Sequence, residues 1–84
     1  MAETVTVELF GSLRRHAGGA ATVQVEAATI RDLLKGLGAA YPGLAPQLKR
    51  GVSVSIDGKI YTEAMFQPIS PENEVVLLPR IAGG

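Results

Sequence analysis

The chain has 84 residues, no Cys, no Trp, and eight acidic side chains against eight basic ones. At that length it is one domain, and folding withdraws only roughly 60% of the unfolded surface from water. Many of the apolar residues are Ala, so core volume rests on Val, Leu and Ile with Phe10, Tyr41, Tyr61, Met65 and Phe66; this suffices for one sheet on one helix and argues against a free-standing enzyme with its own substrate pocket.

The absence of Cys excludes disulfides, thiolate zinc sites, a Cys nucleophile and sulfur carried on a side chain. His16 is the single His, so no His-pair metal site is expected. Balanced charge offers no electrostatic reason to expect nucleic acid or an anionic membrane as partner. The start, Met1-Ala2-Glu3-Thr4, lacks the basic region of a signal peptide, and no apolar run approaches a membrane span. The expectation is a soluble cytoplasmic protein.

Residues 4–10 alternate, with Val5, Val7 and Leu9 on one side and Thr4, Thr6 and Glu8 on the other, the pattern of a strand buried on one face. Residues 11–21, with Arg14, Arg15, His16 and the Gly18-Gly19 pair, read as a loop leading to a second strand over 22–26, with Val23 and Val25 inward. The period then changes to that of a helix. Ile30, Leu33, Leu34, Leu37 and Tyr41 share one stripe over 29–40, with Thr29 at the N-cap, Asp32 three residues on, and Pro42-Gly43 as the stop. Gly36 and Gly38 each weaken that helix by up to about 1 kcal/mol relative to Ala. A short helical turn follows over 44–49. Val52, Val54 and Ile56 form a third strand, and Asp57-Gly58 before Lys59-Ile60-Tyr61 signals a tight hairpin. An irregular connection over 63–73 leads to a last strand over 74–78, ended by Pro79. The order β-β-α-β-(β)-β is an α+β fold: one main helix across a mixed four- to five-stranded sheet, which fits the β-grasp, or ubiquitin-like, roll.

The chain closes on Arg80-Ile81-Ala82-Gly83-Gly84. Such an end is either a frayed terminus or a functional tail: two residues without Cβ can thread a channel too narrow for side chains, and a terminal carboxylate can attack a nucleotide α-phosphate to give an activated acyl phosphate. The expected division is a domain over 1–79 and a flexible diglycine tail over 80–84.

Taken together, Leu9-Phe10-Gly11-Ser12-Leu13-Arg14, Thr29-Ile30-Arg31-Asp32-Leu33-Leu34, Tyr41-Pro42, Val54-Ser55-Ile56-Asp57-Gly58, Glu74-Val75-Val76-Leu77-Leu78-Pro79 and the final Gly83-Gly84 span nearly the whole chain. In order and spacing the sequence resembles the small β-grasp sulfur carriers, the molybdopterin synthase small subunit and its thiamine-pathway relatives. The resemblance implies a non-catalytic carrier. Its Gly84 carboxylate would be adenylated by a ubiquitin-activating-like partner that uses ATP, converted to a thiocarboxylate, and inserted into the large subunit of molybdopterin synthase, with Arg80, Ile81, Ala82 and Gly83 supplying reach and contacts. No cofactor is expected on this chain. Thiamine, cysteine or tRNA thiolation are alternative destinations, and a ubiquitin-like modifier or interaction module is a reading of another class.

Relatives often carry Asn-Gly at the hairpin, Gly-Asp before the Glu-Val of the last strand, and a second Pro after the first; here stand Asp57-Gly58, Glu72-Asn73 and Arg80. These departures bear on which pathway is served. Phe10, Met65, Phe66 and Leu78 are most simply core residues, while the resemblance gives Phe10 and Leu78 a second reading as the patch on which partners dock. His16 reads as a solvated residue and not a proton shuttle; Arg14 and Arg15 read as solubilising, with contact to an acidic partner as the alternative. The stretch over 43–49 lacks P-loop spacing, so the chain itself is not expected to bind ATP.

Overall fold

The computed structural model describes residues 3–62 and 64–80. Its strands are β1 (Glu3–Leu9), β2 (Thr22–Ala27), β3 (Val52–Ile56), β4 (Lys59–Tyr61) and β5 (Val75–Pro79), and they form one mixed sheet in the order β2-β1-β5-β3-β4. The last strand is therefore central. It pairs parallel with β1, in the register Val7↔Val75 and Leu9↔Leu77, and antiparallel with β3, where Val52 faces Pro79 and Ile56 faces Val75. This is the β-grasp architecture.

Alternation decides what each face holds. Val5, Val7, Leu9, Val23, Val25, Val54, Val75 and Leu77 point to one side and are buried, and there α2 (Ile30–Ala40) lays Ile30, Leu33 and Leu37 across them. Each such Leu contributes about 1.5–3 kcal/mol by leaving water. The four leading N–H groups of α2 are all accounted for. The Thr29 hydroxyl oxygen accepts from the Asp32 N–H at 3.3 Å, and the Thr29 carbonyl accepts from the Leu33 N–H. The carbonyls of Gln67 and Met65 accept from the Ile30 and Arg31 N–H groups. The irregular connection before β5 is thus a strap that completes the helix cap.

The connection over 10–21 is not the loop that its polar and Gly-rich composition suggests. It folds as a helical turn, α1 (Gly11–Arg14), followed by a 3-10 turn over Arg15–Ala17, because Leu13 and Ala17 are both drawn into the core. A second 3-10 turn (Pro42–Leu44) and α3 (Ala45–Arg50) lead into β3. The reading of Phe10, Met65 and Phe66 as core residues is overturned: they are 52%, 43% and 75% exposed. Leu78 is half-buried and lies on the opposite side of β5 from Leu77, outside the core cluster. Two apolar residues in succession cannot both face inward in a strand.

Asp57 (φ 51°) and Gly58 (φ 88°) make the two-residue turn between β3 and β4 with both φ values positive, as the primed hairpin turns require. Asp57 does more than turn the chain. Its carboxylate accepts from the Glu74 N–H at 2.8 Å and from the Asn73 side-chain amide at 2.7 Å, tying the hairpin to the start of β5. Two of the positions that depart from the resembled sequences, Asp57 and Asn73, therefore meet in one hydrogen bond.

Gly36 is explained by packing. A Cβ there would collide with Val25 Cγ2, so the helix approaches β2 more closely than any side chain at 36 permits, whereas a Cβ at Gly38 would only touch Leu48 Cδ1 at an ordinary 3.5 Å. Gly36→Ala is expected to destabilise the domain by about 1–3 kcal/mol through overpacking, and Gly38→Ala to stabilise it by up to ~1 kcal/mol through helix propensity. Thermal unfolding resolves the two, since each kcal/mol moves Tm by roughly 4–8 °C at this size; equal shifts in one direction would contradict the packing argument.

Candidate functional site

The sheet face away from α2 is divided. Its β1 and β2 half presents Thr4, Thr6, Glu8, Thr22, Gln24 and Glu26, all exposed. Its β5, β3 and β4 half presents Val76, Leu78, Ser53, Ser55 and Ile60, which the register places side by side through Ser53↔Leu78, Ser55↔Val76 and Ser55↔Ile60. Phe10 continues this side beyond β1, held by its N–H donating to the Leu77 carbonyl at 3.0 Å.

Phe10, Ser53, Ile60, Thr62, Leu78, Pro79 and Arg80 line a groove of about 560 Å³. Ile60 is 61% exposed, and Ser53 is buried between its neighbours. The groove lies where β5 ends, so the chain leaves the sheet at its rim. An apolar depression with an exposed aromatic and an exposed Ile is the composition of a protein interface.

Arg80 sits at the same exit. Its N–H donates to the Gly51 carbonyl at 3.4 Å, and a Cβ at Gly51 would come within 3.1 Å of Arg80 Cδ and 3.3 Å of Arg80 Nη1. Gly51 ends α3 at φ +111°, a value that side chains rarely adopt, so glycine there both turns the chain and leaves room for the Arg80 stem. A second cavity, about 310 Å³, opens on this side between Gln47, Arg50, Gly51, Pro79 and Arg80.

Of the residues singled out in the sequence, the structure brings Phe10, Leu78 and Arg80 together at one rim. Ile81, Ala82, Gly83 and Gly84 lie outside the described residues. Ile60 and Ser53 escaped the sequence reading, although the two-residue turn already sets the register that puts Ile60 opposite Ser55 and hence on the outer face. Arg14 is drawn to this end too, its Nε donating to the Leu9 carbonyl at 3.1 Å. Among the described residues no group of His, Asp and Glu is arranged to hold a metal ion. The Ser70 hydroxyl, and after it the residue's own backbone N–H, hold the Glu72 carboxyl below the usual carboxylate range; Glu72 does not line the groove.

The sequence profile of the ThiS family matches residues 7–84. The chain belongs to the ThiS family. The family's members are small ubiquitin-like sulfur carriers, as the sequence resemblance implied. Among solved structures, SAMP1 from Haloferax volcanii is 26% identical with a TM-score of 0.74, covering 98% of this chain and 100% of its own. CysO from Mycobacterium tuberculosis is 24% identical with a TM-score of 0.75 over 92% of this chain and 99% of its own. A putative molybdopterin converting factor subunit 1 from Pyrococcus furiosus is 18% identical, with a TM-score of 0.75 over 93% of this chain and 98% of its own. The last two likenesses speak to the fold. Among curated proteins none matches this sequence significantly.

If the groove is a surface and not an extension of the core, Phe10→Ala should leave stability within about 1 kcal/mol, whereas Leu77→Ala, one residue before Leu78 and facing inward, should cost about 2–5 kcal/mol. Urea unfolding of the two variants checks this, and a Phe10→Ala loss as large as that of Leu77→Ala would place Phe10 in the core.

Proposed function

We propose that this ThiS-family chain carries sulfur as a thiocarboxylate on Gly84 and serves as the small subunit of molybdopterin synthase in molybdenum cofactor biosynthesis. The observation that carries the proposal is the coincidence of the apolar groove with the point where the chain leaves β5 toward its diglycine end. An enzyme that grips Phe10, Ile60 and Leu78 holds the chain beside the point where it leaves β5, and Gly83 and Gly84 offer no side chain to obstruct a narrow channel.

In this reading a ubiquitin-activating-like enzyme uses ATP to adenylate the Gly84 carboxylate. The carboxylate oxygen attacks the α-phosphate and pyrophosphate leaves; hydrosulfide then attacks the acyl carbon and AMP leaves, giving the thiocarboxylate with no change of oxidation state. Arg80, Ile81 and Ala82 span the distance between the domain and the active site of the partner. Phe10 and Leu78 form the docking patch, and the acceptor is the large subunit of molybdopterin synthase. The chain contributes no catalytic group and no bound cofactor; adenylation and sulfur transfer belong to the partners, and the setting is the cytoplasm. Among the described residues no helix is long and apolar enough to cross a membrane.

One observation favours a second reading. SAMP1 from Methanosarcina acetivorans, 23% identical with a TM-score of 0.77, is described as a small archaeal modifier protein, and the Haloferax SAMP1 noted above shares its name; a chain of this kind ending in diglycine is also suited to isopeptide formation.

Intact mass after incubation with ATP, a sulfur donor and the activating enzyme of the same source separates the readings. A gain equal to replacing one oxygen by sulfur is expected; an unchanged mass beside a demonstrably active enzyme excludes carriage, and conjugates to lysines favour the modifier. Deleting Gly84 should abolish charging while thermal unfolding stays unchanged. Phe10→Ala and Leu78→Ala together should raise KM for charging about tenfold or more, the effect of removing two interface anchors.

A further inference from the structure

The zero net charge of the chain conceals an uneven distribution. The ends of the sheet can be followed along β5, from Val75 at one end to the exit at Pro79 and Arg80. Arg14 is bonded to the last carbonyl of β1, which runs parallel to β5, and Arg15 follows it. Only Gly51 separates Lys49 and Arg50 from Val52, the residue paired with Pro79, and Arg50 lines the smaller cavity with Arg80. Five of the eight cationic residues of the chain therefore stand at the exit end: Arg14, Arg15, Lys49, Arg50 and Arg80. Neither cavity at that end is lined by an acid.

Of the seven acids among the described residues six stand toward the other end, and Glu8, one residue before Leu9 on the outer face, is the exception. Asp57 and Glu74 are joined by a hydrogen bond beyond the Ile56↔Val75 pair, Glu72 lies just before them, Glu3 and Glu26 belong to the Ala27 end of the β1–β2 pairing, and Asp32 accepts from the Ala28 N–H. Of the basic residues, Lys59 and Arg31 lie among them. The six steps along β5 from Glu74 to Arg80, like the six along β1 from Glu3 to Leu9, span about 20 Å. That exceeds two Debye lengths of about 8 Å at physiological ionic strength, so these acids only weakly offset the field that a partner meets around Arg80 and Arg50.

We propose that the exit end docks on an acidic rim around the mouth of the tail channel of the activating enzyme, and that this charge pairing steers association. Steering by opposed local fields raises the rate of encounter and falls with salt even when net charge is zero. It suits a carrier that must be recaptured after each delivery: speed comes from rim charges, while the apolar groove supplies contact. The identity of the partner rests on the carrier reading above; the polarity of the surface does not.

Stopped-flow association with the activating enzyme tests the first part. The rate constant should fall steeply between low and physiological salt. Lys49→Glu with Arg50→Glu should lower it about tenfold or more with little change in dissociation, the behaviour of rim charges. Lys35→Glu with Lys59→Glu, the same change of net charge away from the exit, should leave it within about threefold. Equal effects of the two pairs, or none from either, would overturn the proposal. Because reversal at the last turn of α3 also disturbs the helix dipole, circular dichroism and the milder Lys49→Ala with Arg50→Ala pair accompany it, and that pair should give an intermediate slowing.

The second measurement needs no enzyme. Hexaglutamate peptide titrated at low salt should shift the amide resonances of Arg14, Lys49, Arg50, Gly51 and Arg80, and the shifts should vanish at high salt; absent or scattered shifts would overturn the proposal. Single-stranded oligonucleotide that remained bound at physiological salt would overturn it in favour of nucleic acid. An enzyme that binds but never charges the wild-type chain refutes the carrier reading alone, and the peptide titration still decides the charge inference.

Discussion

The parallel pairing of β5 with β1 is the contact on which the rest of the structure depends. The fifth strand is inserted between the first strand and the third, so the sheet is joined across its middle only when β5 is in place. Once in place, β5 sends Val75 and Leu77 into the core beneath α2 and Val76 and Leu78 to the open face. The same strand thus closes the hydrophobic core and builds the wall of the groove. It also delivers the chain to the groove at Pro79.

Several local features serve that insertion. The strap over 64–69 gives its carbonyls to the N-terminus of α2, where Gln67 and Met65 accept from Ile30 and Arg31. The Asp57 carboxylate takes the Asn73 amide and the Glu74 N–H and pins the first residues of β5 to the hairpin. At the other end Gly51 seats the Arg80 stem. The strand is held at both ends by side-chain and backbone contacts as well as along its length by two ladders.

Much of the fold was legible in the sequence because period and punctuation agreed. The alternation of β1, the Thr29 cap with the stripe Ile30, Leu33 and Leu37, and the Asp57-Gly58 turn each reflect a local rule, and each appears in the structure within a residue or two. The segment over 11–17 was not legible. Its Leu13 and Ala17 are one helical turn apart, but Gly11 and the following Gly18-Gly19 outweigh so short a signal, and only packing against the core makes it helical. Phe10, Met65 and Phe66 were misplaced for the opposite reason: hydrophobicity states a preference for burial, and a core this small lacks room for every apolar side chain. The groove was half legible. Phe10 and Leu78 emerged from resemblance, Ile60 only from the hairpin register, and Gly51 from nothing local at all.

The opening arithmetic of equal positive and negative charge acquires a different meaning in three dimensions. By itself the sequence determined that there is no thiol side chain to hold sulfur and that Gly83 and Gly84 carry no side chains, because composition and order are covalent facts that folding cannot alter. Only the tertiary structure decided which charges share an end. Arg50 is far from Arg80 in the sequence and beside it in space, since antiparallel β3 starts where β5 stops. The charges sum to zero along the chain, but a partner meets them at short range, and there the strand order sets the field.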